Sequence, residues 1–204
     1  MQKRFLSALF ISLGIISIGY TADQTQPNNS APAILIQEIQ RGGHILYVRH
    51  GVTDHSQKDE FPPQLDDCSA QRNLSDVGRE KLKKIGAMIQ ELEIPIGNVF
   101  SSPYCRCKET AQLVFGKYTI EPDLQFSISK NKEESIHLGE KLRAMMMAMK
   151  PGSKNDVFVG HTSNLKDGLG VWPKPEAVSV VFQKTKDKIM LKGMIEPDAW
   201  ENLE

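Results

Sequence analysis

Apolar positions in this chain fall into short compact runs, separated by longer stretches with apolar residues three and four apart. Ile45-Leu46-Tyr47-Val48 and Val157-Phe158-Val159 are unbroken runs, the pattern of strands buried on both faces. Asn98-Val99-Phe100-Ser101 reads as a further short strand, and Tyr118-Thr119-Ile120 as another. Helical spacing predicts a short helix over Ile34 to Gln40, ended by Gly42-Gly43. A second helix has Ser75 as N-cap, Asp76 in its first turn and one apolar face of Leu82, Ile85, Ile89 and Leu92, with Pro95 and Gly97 ending it. Pro103 introduces a third over Tyr104 to Phe115, and a long fourth runs from Glu133 to Met149, closed by Pro151-Gly152. Val178–Phe182 and Lys188–Leu191 read as a late hairpin. Residues 52–73 are polar, carry two prolines and form a long loop, a length usual only for functional or disordered segments. Strands alternating with helices predict an α/β sheet covered on both faces, with ligands beyond the carboxyl ends of its strands.

Composition narrows the class. The 204 residues carry 25 basic and 25 acidic side chains, so the balance is neutral and lacks the basic excess of a nucleic-acid binder. The length suits a single domain, here 34–204. Before it stand a basic start, Lys3-Arg4, a 16-residue uncharged stretch from Phe5 to Tyr20, and Thr21-Ala22-Asp23. Residues 1–22 read as a secretory signal, or, because Tyr20 spoils the cleavage site, as an uncleaved N-terminal anchor. Either places the domain outside the cytoplasm: periplasmic or secreted, or anchored facing the periplasm. Residues 23–33 form a polar linker. Export lets Cys68, Cys105 and Cys107 oxidise, with one left over.

Arg49-His50 and Gly160-His161 both follow strands, as does Ser101-Ser102, with Arg106 a helical turn further on. Neighbouring strands would bring two histidines and two arginines to one edge. Arginine forks match phosphate oxygens in pairs, and a neutral imidazole is a competent nucleophile toward phosphorus. The set suits phosphoryl chemistry with no metal or other cofactor, and no His/Cys/Asp spacing resembles a zinc or calcium site. His44 and His137 read as structural, and His55 as a loop contact to substrate. Leu138, Leu142, Met145, Met146 and Met149 form a core face and not a metal stripe. Lys184–Lys188 reads as a solvated hairpin turn.

Four segments, in order, resemble the histidine phosphatase superfamily, the phosphoglycerate-mutase-like proteins. Tyr47-Val48-Arg49-His50-Gly51 is similar to its Arg-His-Gly signature, and Asn73-Leu74-Ser75-Asp76-Val77-Gly78 to its "Leu-Thr/Ser-x-x-Gly" helix start. Ser102-Pro103-Tyr104-Cys105-Arg106 with Glu109-Thr110-Ala111 resembles its second motif, and Val159-Gly160-His161-Thr162 the segment bearing its second histidine. The resemblance implies a three-layer α/β/α sandwich with a mostly parallel sheet. It also implies that His50 becomes a transient phosphohistidine, that Arg49 and Arg106 clamp the phosphoryl oxygens, that His161 hydrogen-bonds the transferring group, and that no metal takes part.

One departure concerns the general acid. Leu124-Gln125-Phe126 occupies the place of the family's "Leu-x-Glu", and Thr162 stands where another branch has Asp. The remaining acid candidates are Glu133, Glu134 and Asp54. A substrate with a good leaving group needs no acid. Cys105 and Cys107 face different ways on a helix and should not pair with each other; export and the placement of Cys68 and Cys105 near the site make these two the candidate pair, stapling the loop beside the pocket, with three unpaired cysteines as the alternative. The leading function is an exported, metal-independent phosphatase acting on a small phosphorylated substrate, with a non-catalytic phosphate-binding relative and a mutase as alternatives. Exported relatives of similar size make envelope lipopolysaccharide phosphate one candidate substrate. Residues 52–73 and 121–137 should form the rim. Asp59, Glu60, Asp66 and Asp67 make its first part acidic, which disfavours polyphosphorylated substrates.

Overall fold

The computed structural model describes residues 31–127, 130–150 and 152–202. The signal or anchor segment and most of the linker lie outside the described residues. The elements run α1 (Pro32–Gln40), β1 (Ile45–Arg49), α2 (Asp76–Glu91), β2 (Ile96–Ser101), α3 (Cys105–Phe115), β3 (Thr119–Ile120), α4 (Lys132–Ala148), β4 (Asn155–Gly160), α5 (Thr162–Leu169), β5 (Ser179–Lys184) and β6 (Ile189–Ile195). The strands form one sheet in the order β3-β2-β4-β1-β5-β6. Pairing is parallel among β1, β4, β2 and β3, and antiparallel at β1–β5 and β5–β6.

Both faces of β1 are buried, which explains its unbroken apolar run. Leu46 and Val48 pack with α1, α2 and α3 through Leu35, Ile39, Leu82, Ile85 and Cys107. Ile45 and Tyr47 pack with α4 and α5 through Leu142, Met146 and Leu165. The result is the three-layer α/β/α sandwich expected from the sequence. The α4 methionines behave as core residues: Met146 is fully buried, and Met145 and Met149 pack against its cluster.

Several boundaries differ from the sequence reading. The first helix begins at Pro32, two residues before the helix start read from the sequence. The turn between α2 and β2 is made by Leu92 and Glu93, the latter at φ 51°, so Ile96 and Gly97 belong to β2. Pro103 lies before the α3 N-cap, Tyr104. Residues 162–169 form α5, a helix the apolar spacing left unmarked because only Leu165 and Leu169 are apolar in it. Gly170, in the left-handed conformation just past its end, is the signal that could have located it. A short 3-10 turn at Pro197–Trp200 then buries Trp200 in the core.

Candidate active site

Register brings the site together. Arg49 pairs with Gly160 and Ser101 with Val159, so β1, β2 and β4 end side by side. The His50 amide donates to the Gly160 carbonyl at 3.1 Å, and the His50 carbonyl accepts from the Ala177 amide at 2.9 Å. The Gly51 amide donates to the Thr110 hydroxyl at 3.0 Å. Gly78 explains the helix-start motif physically: a side chain there would run into the Val52 carbonyl, so only glycine lets α2 approach the segment behind His50. At Gly160 a side chain would strike the Tyr47 hydroxyl, which donates to the His161 carbonyl at 2.7 Å.

The His50 and His161 rings lie 5.4 Å apart, both buried. His50 Nδ1 sits 2.9 Å from the Gly51 carbonyl. A carbonyl only accepts, so Nδ1 carries the proton and Nε2 keeps its lone pair. His161 Nε2 lies 2.9 Å from the Ser102 hydroxyl, and Nδ1 has no partner among the described residues. With Ser102 donating, the proton is on Nδ1. Burial holds both imidazoles well below the ordinary histidine pKa, with Arg106 adding to the effect, so both are neutral near pH 7.

Arg106 is wholly buried, over the Tyr104 ring at 4.6 Å and beside Phe126. Its Nη1 donates to Asp59 at 2.8 Å and to the Arg72 carbonyl at 3.1 Å, while Nε and Nη2 have no partner. Arg49 donates through Nη2 to Glu176 at 3.3 Å, leaving Nε unpartnered, and Arg72 Nε is likewise unpartnered. Buried donors left unmet are costly, so this is a site organised for an anion.

Glu176 and Arg72 were missed in the sequence. Glu176 stands 3.9 Å from His50 Nδ1, and its carboxylate accepts from the Thr53 amide and hydroxyl. Neither residue sits in a recognisable motif; only folding brings Glu176 to the end of β1. His55, expected to touch substrate, is exposed and lies 4.0 Å from Glu176. His44 is structural, its Nδ1 bonded to the Gly42 carbonyl, but His137 is exposed on α4.

The acid candidates Glu133, Glu134 and Asp54 do not line the cavity over His50. A cavity of about 630 Å³ opens over His50 and is lined by Arg49, Arg72, Phe126, Thr162 and Asp167 among others. Glu133 and Glu134 line a separate hollow on α4. Asp54 lines another, beside the disulfide, where the Ser56 hydroxyl and amide hold its carboxyl below the usual range. Phe126 stands beside the site, its ring 5.0 Å from His161. Asp167, the one carboxylate lining the His50 cavity, accepts from the Ser135 hydroxyl. Among the described residues no group of three or more His, Cys, Asp or Glu side chains could hold a metal ion.

The acidic rim is not found either. Asp59 turns inward onto Arg106, and Glu60, Asp66 and Asp67 do not line the cavity, whose mouth instead carries Lys130, Lys132, Lys166 and Lys174. Cys68 and Cys105 are joined in a disulfide. The Gln71 side chain accepts from the Cys105 amide at 2.9 Å, so the loop is tied twice to the start of α3. Cys107 is free and buried, and burial pushes its thiol up to about 12.

The buried neutral histidines predict acid lability. Below pH about 6.5 the unfolded chain takes up protons that folded His50 and His161 resist. Stability is full above that pH and is lost as pH falls toward the depressed folded values. Each histidine costs about 1.4 kcal/mol per pH unit in that window. Urea unfolding at pH 7, 6 and 5 checks this: the loss should be shallower in His161→Gln, and an equal slope in both proteins would refute it.

The fold and the paired-histidine anion site define the phosphoglycerate-mutase-like class. The model of the histidine phosphatase superfamily (branch 1) matches residues 45–126, a span that includes Arg49, His50 and Arg106. Over those residues the chain is similar to that family. Its structure is similar to that of the protein histidine phosphatase SixA complexed with tungstate, at TM-score 0.53 and 14% identity, over 79% of this chain and 99% of that one. It is also similar to Entamoeba histolytica phosphoserine phosphatase in complex with 3-phosphoglyceric acid, at TM-score 0.55 and 13% identity, over 75% and 96%. A mycobacterial glucosyl-3-phosphoglycerate phosphatase complexed with VO3 gives TM-score 0.54 and 13% identity, over 74% and 97%. No curated protein matches the sequence.

Proposed function

We propose that the protein is an exported phosphatase that hydrolyses a small phosphorylated substrate through a phosphohistidine on His50, without a metal. The observation that carries this reading is the set of unpartnered buried donors beside that imidazole: Arg49 Nε, Arg72 Nε, Arg106 Nε and Nη2, and His161 Nδ1. They meet the charge on the equatorial oxygens, and positioning plus charge stabilisation is most of what phosphoryl transfer requires. The Nε2 lone pair of His50 attacks phosphorus and the ester P–O bond breaks. Water then attacks the phosphohistidine, the N–P bond electrons return to Nε2, and inorganic phosphate leaves. With Phe126 in the acid's place, the site favours substrates whose leaving group departs without a proton, such as aryl and acyl phosphates. Export is supported by the N-terminal pattern and by the Cys68–Cys105 disulfide, and implies a periplasmic, secreted or anchored domain.

The missing acid favours one second reading, a phosphate-ligand-binding protein without turnover. Labelled p-nitrophenyl phosphate in EDTA separates the two. The expected result is a burst of nitrophenol, sustained phosphate release, and a label on the His50 peptide that survives alkali and is lost in acid. Ligand binding with neither label nor release would establish the second reading.

A further inference from the structure

The His50 cavity holds more positive charge than one phosphoryl group uses. Arg49 and Arg72 line it beside His50, with Arg49 paired to Glu176. Lys166 and Lys174 line the same cavity further out, each with its ammonium 5.1 Å from the Trp172 ring centre. Trp172 is 46% exposed, a costly place for an indole that serves only packing. Lys130 and Lys132 also line this mouth. Among the described residues none of these four lysines pairs with a carboxylate, and Asp167, the cavity's one acid, is engaged by Ser135. An indole that attracts two ammonium groups orders them before anything binds.

We propose that Lys166, Lys174 and Trp172 form a second anion subsite, and that the substrate carries a second phosphate group beyond the one that is cleaved. This rests on the phosphatase reading for the inner site. α5 sets the spacing. His161 is its N-cap and Lys166 lies five residues on, about 7–8 Å along the axis at 1.5 Å per residue. A six-membered ring with a phosphate at each end is a small rigid probe of two such sites. Phe126 and Ile136, on the walls between, offer carbon to the ring. A cavity of about 630 Å³ lies within the roughly 300–1,000 Å³ range of pockets that enclose a whole small molecule.

The test compares phenyl phosphate with hydroquinone bisphosphate, binding each to the full-length His50→Ala protein by calorimetry so that turnover does not intervene. The bisphosphate should bind at least about tenfold more tightly, the scale of two exposed ion pairs. Adding Lys166→Ala and Lys174→Ala should shrink that ratio to about twofold, and Trp172→Ala, which keeps both charges but frees them, should reduce it in part. Equal or undetectable binding of the two ligands to the His50→Ala protein overturns the subsite, as does a ratio that the lysine variants leave unchanged. Failure of the phosphatase reading is read separately, as absence of phosphate release from phenyl phosphate by the wild-type protein.

Discussion

Replacing His50 with alanine is expected to lower the turnover of an aryl phosphate by about 10⁴-fold or more, the scale seen when a nucleophile is removed. No other group can take its place. His161 has its Nε2 engaged by Ser102, and Cys107 carries a thiol pushed up to about 12, protonated at neutral pH and enclosed in the core. The anion donors belong to other residues, so the variant should still bind tungstate and remain folded. Phosphate release and tungstate titration check both halves together. Residual turnover above about a hundredth of wild type would assign the attack to a different group, and loss of tungstate binding would make the variant a structural lesion.

Reducing the Cys68–Cys105 disulfide is expected to lower stability by about 4 kcal/mol, the chain-entropy value for a crosslink spanning 37 residues. In a domain of this size that corresponds to a fall in Tm of roughly 8–16 °C. The enclosed segment carries Arg72, which lines the cavity, accepts from Arg106 Nη1 through its carbonyl and donates through its amide to Asp59. Loosening it removes the partner that orients Arg106, so aryl phosphate turnover should fall with stability. Thermal unfolding with and without dithiothreitol, beside a Cys68→Ser/Cys105→Ser variant, measures the effect. A Tm unchanged within 2 °C would show that the Gln71–Cys105 contact and the Asp59–Arg106 pair hold the loop unaided.

The sequence by itself determined the architecture and the inner site. Strands buried on both faces leave apolar runs such as Ile45–Val48, and such runs are read locally. A polar pair placed directly after its strand is also local, which is why Arg49-His50 and Gly160-His161 were legible. The turn of α3 excluded only a Cys105–Cys107 bond; that Cys68 is the partner of Cys105 followed from export and the placement of both beside the site, and the structure joins them. What only the tertiary structure decided are the residues that meet across the chain. Glu176 reaches Arg49 and Thr53 from the approach to β5, and Arg72 arrives on a loop whose path is set by Asp59, Gln71 and the disulfide. The sign of the rim charge was misread for the same reason. Four acidic residues close together in the loop look like a surface, but Asp59 turns inward onto Arg106 while four lysines from α4, α5 and the segments flanking them gather at the mouth. Charge along a chain is additive, whereas the field in a pocket depends on which side chains the fold aims into it.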